Sequence, residues 1–218
     1  MTNIKMESVL TYVLEHAEHK NPKSVLDTID SYAMNGSLEL KKFLMNVGPE
    51  KGSMLKDCIE MHKSKKILEL GSFVGYSAIL IAMTIGDDDT LISIDPDPNS
   101  IKIATQMVDY AGLSNKVSFI QSKAENVINK LDSHFDLIFI DHAKKRYLPD
   151  LILLEQAGLV KKGTVIFADN VGLFKDTMAD YFKHVRESTY YTSSNKGSNL
   201  EYRGNIYDAV EISMRIKD

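Results

Sequence analysis

The chain has 218 residues, of which 44% are hydrophobic and 26% charged, a composition typical of one soluble globular domain. Its net charge of −4 is spread along the sequence without a basic stripe, which argues against a nucleic-acid partner. No apolar run reaches the roughly 18–20 residues of a membrane span, and the N-terminus lacks the apolar segment of a signal peptide. We therefore expect a cytoplasmic protein with no membrane partner. Cys58 is the only cysteine, so an intrachain disulfide is excluded.

The first third of the chain has a helical pattern. Within residues 1–62, apolar side chains recur at helical spacing, first around Val9 and again around Val25, with a break at Pro22. We therefore expect residues 1–62 to form a helical cap on a core that spans 63–218, with the whole chain forming one domain.

From Ile67 onward, short runs rich in β-branched residues alternate with longer segments of helical period. The predicted strands are Ile67–Leu70, Leu91–Asp95, Val117–Gln121, Leu137–Asp141 and Thr164–Asp169. The predicted helices lie near Tyr76–Met83, Asn99–Ala111, Ala124–Leu131, Tyr147–Ala157 and Lys175–Arg186. This alternation predicts an α/β protein, with a parallel sheet covered by helices on both faces.

The C-terminal segment has a different pattern. Two strand-like runs, Tyr190–Thr192 and Ile206–Ile212, are separated by the polar residues Ser193–Asn199. We expect a hairpin at the edge of the sheet, with the polar residues lying between its strands.

A glycine-containing turn follows the first predicted strand. Glu69 precedes it, Gly71 and Gly75 lie within it, and a helix begins after it, so backbone N–H groups are open to a ligand. The G-x-G-x-x-G pattern of dinucleotide sites is missing. Asp95 ends the next strand, where an acidic side chain can bind ribose hydroxyls. From these residues alone, three interpretations of the turn remain possible: a binding site for S-adenosylmethionine (SAM), a binding site for a dinucleotide, or a turn with a purely structural role.

Oxygen-bearing side chains follow two later strands. Asp141 ends the fourth predicted strand, and Asp169 with Asn170 ends the fifth. Ligands of open α/β sheets bind beyond the carboxyl ends of the strands, and Mg²⁺ prefers such oxygen ligands. Each residue taken singly fits a strand-end cap equally well. The three together favour a Mg²⁺ site.

The combined motifs resemble catechol O-methyltransferases of the animal type. The similarity extends from about Val9 to Val210. It is carried by Met45–Gly48 with Lys51-Gly52, Glu69–Gly71 with Gly75–Ser77, Ala111–Leu113, Asp141–Asp150, Gly163–Val165, Ala168–Val171 and Leu200–Tyr202.

This resemblance implies a three-layer αβα, Rossmann-like class I methyltransferase fold, with a seven-stranded, mostly parallel sheet whose last strand is antiparallel. It also implies Mg²⁺-dependent transfer of a methyl group from SAM to one hydroxyl of a small catechol. A related cation-dependent enzyme that acts on larger vicinal diols, such as caffeoyl conjugates or catechol-bearing secondary metabolites, is the alternative. We expect a monomer or a weak homodimer.

By the same resemblance, specific residues acquire roles. Lys144 is the general base, and Glu201 binds the hydroxyl that is not methylated. The implied Mg²⁺ ligands are Asp141, Asp169 and Asn170. The implied SAM-binding residues are Asn46, Val47, Glu69, Gly71, Tyr76, Ser77, Asp95, Pro96, Ala124, Glu125, Asp141 and His142. The implied catechol-binding residues are Phe43, Met45, Lys144, Asn170, Phe174, Glu201 and Tyr202.

The substrate mouth departs from the family pattern. Phe43 and Ala143 stand where animal members usually carry tryptophan, and Phe174 replaces a proline, in a chain that has no tryptophan at all. We therefore expect a remodelled and more open mouth. In the SAM site, Asp95 replaces a glutamate, and Ala124-Glu125 replaces a serine–glutamine pair.

Overall fold

The computed structural model describes residues 6–37 and 44–218. Three helices precede the first strand: α1 (Met6–His16), α2 (Pro22–Ser37) and α3 (Gly48–His62). None of the helices in these two ranges is long and apolar enough to cross a membrane. Cys58 is a buried residue of α3.

Strands and helices then alternate along the chain. The strands are β1 (Lys66–Leu70), β2 (Thr90–Asp95), β3 (Val117–Gln121), β4 (Leu137–Ile140), β5 (Val165–Ala168), β6 (Tyr191–Leu200) and β7 (Arg203–Arg215). The helices are α4 (Tyr76–Thr84), α5 (Pro98–Tyr110), α6 (Ala124–Val127), α7 (Tyr147–Gln156) and α8 (Ala179–Arg186). Helices α2 and α3 pack on α4, and α1 packs on α5.

The seven strands form one sheet in the order β3-β2-β1-β4-β5-β7-β6. Strands β1 to β5 pair in parallel, whereas β7 is antiparallel to both of its neighbours. The predicted Rossmann-like fold with an antiparallel last strand is therefore confirmed. The strand order reverses direction between β1 and β4, and this is the point where open α/β sheets bind their ligands.

The central strands are buried on both faces because helices cover each side. In β1, Ile67 packs with the core beneath the first three helices, while Leu68 packs with the core beneath α7 and α8. Phe139 and Ile138 of β4 divide in the same way. Two apolar cores on opposite faces of one sheet give the three layers.

The predicted boundaries also differ from the structure: β7, predicted over Ile206–Ile212, extends from Arg203 to Arg215, and three other segments differ as well. The polar residues Ser193–Asn199 lie within β6, because an edge strand pairs through its backbone and tolerates polar side chains. The helix predicted over Ala124–Leu131 stops at Val127 and continues as a 3₁₀ turn, in a run with β-branched and asparagine residues. Before α8, residues 175–177 also form a 3₁₀ turn, where the Thr177 hydroxyl donates to the Phe174 carbonyl.

Candidate active site

The carboxyl ends of β1, β4 and β5 meet at one edge of the sheet. The parallel ladder continues one residue past the strands: the Asp141 amide donates to the Leu70 carbonyl (2.9 Å), and the Asp169 amide donates to the Ile140 carbonyl (3.0 Å). Gly71 lies against this junction, since a Cβ atom there would be 2.4 Å from the Asp141 carbonyl oxygen. The strand order therefore brings the predicted acidic residues together.

Lys144 lies at the centre of this edge, on a 3₁₀ turn that leads into α7. Its ammonium group donates to Asp141 Oδ1 (2.9 Å) and to Asn170 Oδ1 (3.0 Å). It also donates to the Tyr147 hydroxyl (2.6 Å), which in turn donates to the Asp169 carbonyl (3.0 Å). Burial raises the pKa of Tyr147 well above its ordinary value, so this phenol stays protonated. Tyr147 thus anchors Lys144, a function that we did not predict from the sequence.

Asp169 and Asn170 are both buried at the end of β5. Asp169 Oδ1 accepts the Asn170 backbone N–H (2.6 Å), and Asn170 adopts a left-handed φ of 54°. Asp169 Oδ2 is buried without a hydrogen-bond partner in the described part of the chain. Burial raises the pKa of Asp169, and the nearby Asp141 adds to this, while Lys51 opposes it.

The side-chain oxygens of Asp141, Asp169 and Asn170 are suitable ligands for a hard divalent cation. Asp141 and Asn170 each direct one oxygen toward the ammonium group of Lys144. Asp169 contributes an oxygen that is buried and has no hydrogen-bond partner in the described ranges. Carboxylate and amide oxygens are the ligands that Mg²⁺ takes from proteins. Within residues 6–37 and 44–218, no cluster of three or more His, Cys, Asp or Glu side chains has the arrangement of a metal site. The candidate set consists of only two carboxylates and one amide.

Lys51 reaches the same edge from α3 and is fully buried. Its ammonium lies 2.5 Å from Asp169 Oδ1, 2.8 Å from Glu201 Oε1 and 2.7 Å from Asp208 Oδ2. Burial opposes its charge, but the carboxylates of Asp169 and Asp208 outweigh that effect and raise its pKa. This cluster was not predicted from the sequence. A signal was present, because Lys51 occupies the same helical stripe as the buried Leu55.

About half of the residues implied for SAM converge on the turn after β1. A small cleft of about 30 Å³ lies there. Its lining includes six of the implied residues, namely Asn46, Val47, Gly71, Tyr76, Ser77 and Asp141, together with Met45.

Glu69 lies beneath this turn and is fully buried. Its Oε2 accepts a hydrogen bond from the Ser93 hydroxyl, and its Oε1 has no partner among the described residues. Burial raises the pKa of Glu69 to about 8, against the lowering effect of hydrogen bonds from Ser77 and Ser93. A buried carboxylate with one unpaired oxygen is suited to a cationic ligand.

Asp95 organises the same turn. One carboxylate oxygen accepts the backbone N–H groups of Ser72 (2.9 Å) and Phe73 (3.3 Å), and the other accepts that of Asp97 (2.8 Å). Pro96 follows directly. Asp95 therefore holds the turn in shape before any ribose is considered, which its spacing from Gly71 alone did not reveal.

The residues implied for the adenine end lie around the start of α6 and the end of β4. Glu125 pairs with Arg146 (2.5 Å), and His142 Nε2 lies 2.7 Å from an Asp150 carboxylate oxygen. Ala124 is buried beside Glu125. Glu125 is thus engaged in an ion pair, while the buried Nδ1 of His142 has no partner in the described ranges.

Most of the residues implied for the catechol lie either after β5 or in the turn between β6 and β7. Glu201 is buried beside Lys51, and the Phe174 ring centroid is 5.8 Å from Lys144 Nζ. The Tyr202 hydroxyl donates to Asp30 of α2 (2.6 Å). Met45 is 44% exposed, and Phe43 lies outside the described residues.

Comparison with known proteins gives consistent matches. The O-methyltransferase family profile matches residues 31–203. Catechol O-methyltransferase of Mus musculus is 36% identical over 216 residues, which are 97% of this chain and 78% of the mouse protein. Catechol O-methyltransferase B of Danio rerio is 37% identical over 201 residues, covering 90% of this chain and 74% of its own.

A solved structure agrees in fold. The O-methyltransferase TomG from Streptomyces achromogenes, crystallised with SAM, superposes with a TM-score of 0.75 at 19% identity, over 98% of this chain and 100% of its own. The resemblance that the sequence motifs carried is confirmed by these matches. The chain belongs to the O-methyltransferase family, and its curated relatives include the catechol O-methyltransferases of mouse and zebrafish.

Proposed function

We propose that this enzyme transfers a methyl group from SAM to one hydroxyl of a catechol, with Mg²⁺ as cofactor. The observation that carries the proposal is the contact of Lys144 with Asp141 and Asn170. A candidate base and candidate metal ligands thereby meet at the sheet edge where family members carry out their chemistry.

SAM supplies a methyl group on a sulfonium cation. The unpaired Oε1 of Glu69, which lies beneath the turn after β1, is suited to the ammonium group of the methionine part of SAM. Asp95 can offer its carboxylate to ribose hydroxyls while it caps the turn. SAM is assigned here because members of the family use it, and the buried carboxyl group of Glu69 with its unpaired oxygen supports the assignment.

Asp141, Asp169 and Asn170 would hold Mg²⁺, which when bound supplies a Lewis acid for the two catechol oxygens. Lys144 Nζ is placed to take the proton of the reacting hydroxyl, and Tyr147 keeps that amine at the sheet edge. Glu201 is placed to accept a hydrogen bond from the second hydroxyl, because its Oε2 has no other partner in the described ranges.

A second candidate function is methylation of larger vicinal diols. The exposed Ala143 favours it, because no side chain at this position closes the mouth where relatives usually carry an indole ring. Residues 193–199 are paired in β6, so they do not fold over the mouth. Substrate size therefore separates the two candidates.

Metal dependence is the first test. A chelator in excess should abolish methylation of a catechol, and added Mg²⁺ should restore it. Asp141→Asn should raise the half-saturating Mg²⁺ concentration by at least about tenfold, since it removes one charged ligand candidate. The control is Asp176→Asn, which changes an exposed carboxylate of the turn before α8. Full activity of the wild type in excess chelator would show that the metal assignment is wrong.

The role of Lys144 is tested by kinetics. Lys144→Ala should lower kcat by about 10²–10⁴, the range for loss of a general base, while the Kd of SAM changes little. Lys145→Ala, at the exposed neighbouring position, should stay close to wild type. If Lys144→Ala weakens SAM binding but leaves kcat intact, the base must be another group.

The buried Glu69 predicts a pH dependence. Its folded pKa of about 8 lies above the ordinary value of 4.5, so the ligand-free protein should lose stability as pH rises from about 4.5 to about 8. Because the ammonium of SAM pairs with the carboxylate form, SAM binding at pH 7 should release close to one proton. Calorimetry in buffers of different ionisation enthalpy measures this release. Glu69→Gln should release none, and equal release by both proteins would contradict the assignment.

The mouth is tested with substrates of two sizes. Ala143→Trp should lower KM for a small catechol by about two- to tenfold, matching the roughly 0.5–1.5 kcal/mol of an aromatic contact. Catechols with bulky substituents should become poorer substrates, while kcat for the small one stays similar. A uniform loss of kcat/KM for both sizes would show that Phe174 or another group already closes the slot.

A further inference from the structure

Lys51 is a fully buried lysine that the proposed chemistry does not use. It lies on α3, outside the sheet, yet its ammonium reaches carboxylates that belong to three other parts of the chain. Asp169 follows β5, Glu201 lies in the turn between β6 and β7, and Asp208 lies within β7. One cation therefore joins four separate segments at the edge of the candidate active site.

Lys51 forms an ion pair with one oxygen of each of two site carboxylates, and the second oxygen of each has no hydrogen-bond partner in the described ranges. Oδ1 of Asp169 lies 2.5 Å from the ammonium, while Oδ2 has no hydrogen-bond partner in the described ranges. Oε1 of Glu201 lies 2.8 Å from the ammonium in an ion pair, and neither this oxygen nor Oε2 takes part in a hydrogen bond in the described ranges. Oδ2 of Asp169 and Oε2 of Glu201 are therefore available to a metal ion or to a substrate hydroxyl.

Asp208 connects Lys51 to the side chain of Asn170. Its Oδ2 accepts both from Lys51 (2.7 Å) and from Asn170 Nδ2 (2.8 Å), and its Oδ1 accepts the Leu173 backbone N–H (2.9 Å). With its amide nitrogen bound to Asp208, Asn170 must turn its Oδ1 the other way, and this oxygen meets Lys144. The orientation of an otherwise reversible amide is therefore fixed through Lys51 and Asp208.

Stability alone is a poor explanation for such a cluster. Replacing a buried ion network by apolar residues of similar volume is often neutral or stabilising, so a buried lysine is not needed to hold a core together. Positioning is a better explanation, because preorganised groups must be held to within a fraction of an ångström. We propose that Lys51 is a positioning residue that sets which oxygens of Asp169, Glu201 and Asn170 face the substrate. This inference rests on the proposed function.

The test is Lys51→Met, which keeps the length of the side chain and removes its charge. Methylation of the unsymmetrical catechol 3,4-dihydroxybenzoate gives two products, and their ratio does not depend on how much protein is folded. We expect the variant to move this ratio at least threefold toward an equal mixture. We also expect the Kd of Mg²⁺ for the SAM-loaded protein, measured by calorimetry, to weaken at least tenfold. Loss of one positive charge by itself would instead tighten Mg²⁺ binding.

The matched control is Arg186→Met. Arg186 forms two 2.7 Å contacts with the buried Glu211, on the same strand as Asp208. This variant should lower the unfolding temperature but leave the product ratio and the Kd of Mg²⁺ unchanged. If Lys51→Met does not fold, Asp208→Asn keeps the shape of the cluster and should shift the ratio in the same direction.

The outcomes separate the two proposals. If the wild type responds to Mg²⁺ but Lys51→Met keeps the wild-type product ratio, or binds Mg²⁺ equally well or more tightly, then Lys51 serves stability or charge balance and the positioning proposal is wrong. If Arg186→Met shifts the ratio as much, the effect is general and the proposal is also wrong. A wild type that needs no Mg²⁺ or methylates no catechol would overturn the proposed function, and this inference with it.

Discussion

The order of the strands is the constraint on which the rest of the site depends. Because β4 lies between β1 and β5, the residues that follow these three strands share one edge of the sheet. The backbone ladder extends past the strands to the amides of Asp141 and Asp169, so two residues 28 positions apart are fixed by main-chain hydrogen bonds. Any chemistry that needs both carboxylates therefore follows from strand pairing and from the buried apolar runs that drive it.

Carboxylates that are buried close together at one edge repel each other. Two lysines offset this repulsion. Lys144 lies on the open side of the cluster and Lys51 on the closed side. The two differ in what surrounds them: Lys144 is partly exposed, whereas Lys51 is sealed beneath α3. The open lysine can exchange its partners with a ligand, and the sealed one cannot. This asymmetry separates a group suited to chemistry from a group suited to holding the site in place.

The sequence predicted the sheet well because local patterns determine it. Apolar runs such as Leu137–Ile140 and the helical period between them are readable without knowledge of tertiary contacts. The acidic strand ends were also predictable, since strand ends of a parallel sheet converge. The Lys51–Asp208 contact was not, because it joins residues 157 positions apart, and no local pattern reports such a pairing. Likewise, the pairing of polar residues 193–199 in β6 depends on β7 and not on their own propensity.

The helical cap is best understood as part of the site and not as a cover laid over it. Asp30 of α2 accepts hydrogen bonds from Tyr76, which begins α4 after the turn that follows β1, and from Tyr202, which lies next to Glu201. Similarly, Lys51 of α3 forms ion pairs with Asp169, which follows β5, and with Glu201 in the turn between β6 and β7. Both links run from the cap to residues that lie beyond the ends of the strands. The sheet therefore sets where the reacting groups stand, and the cap sets the direction in which the loop-borne groups point.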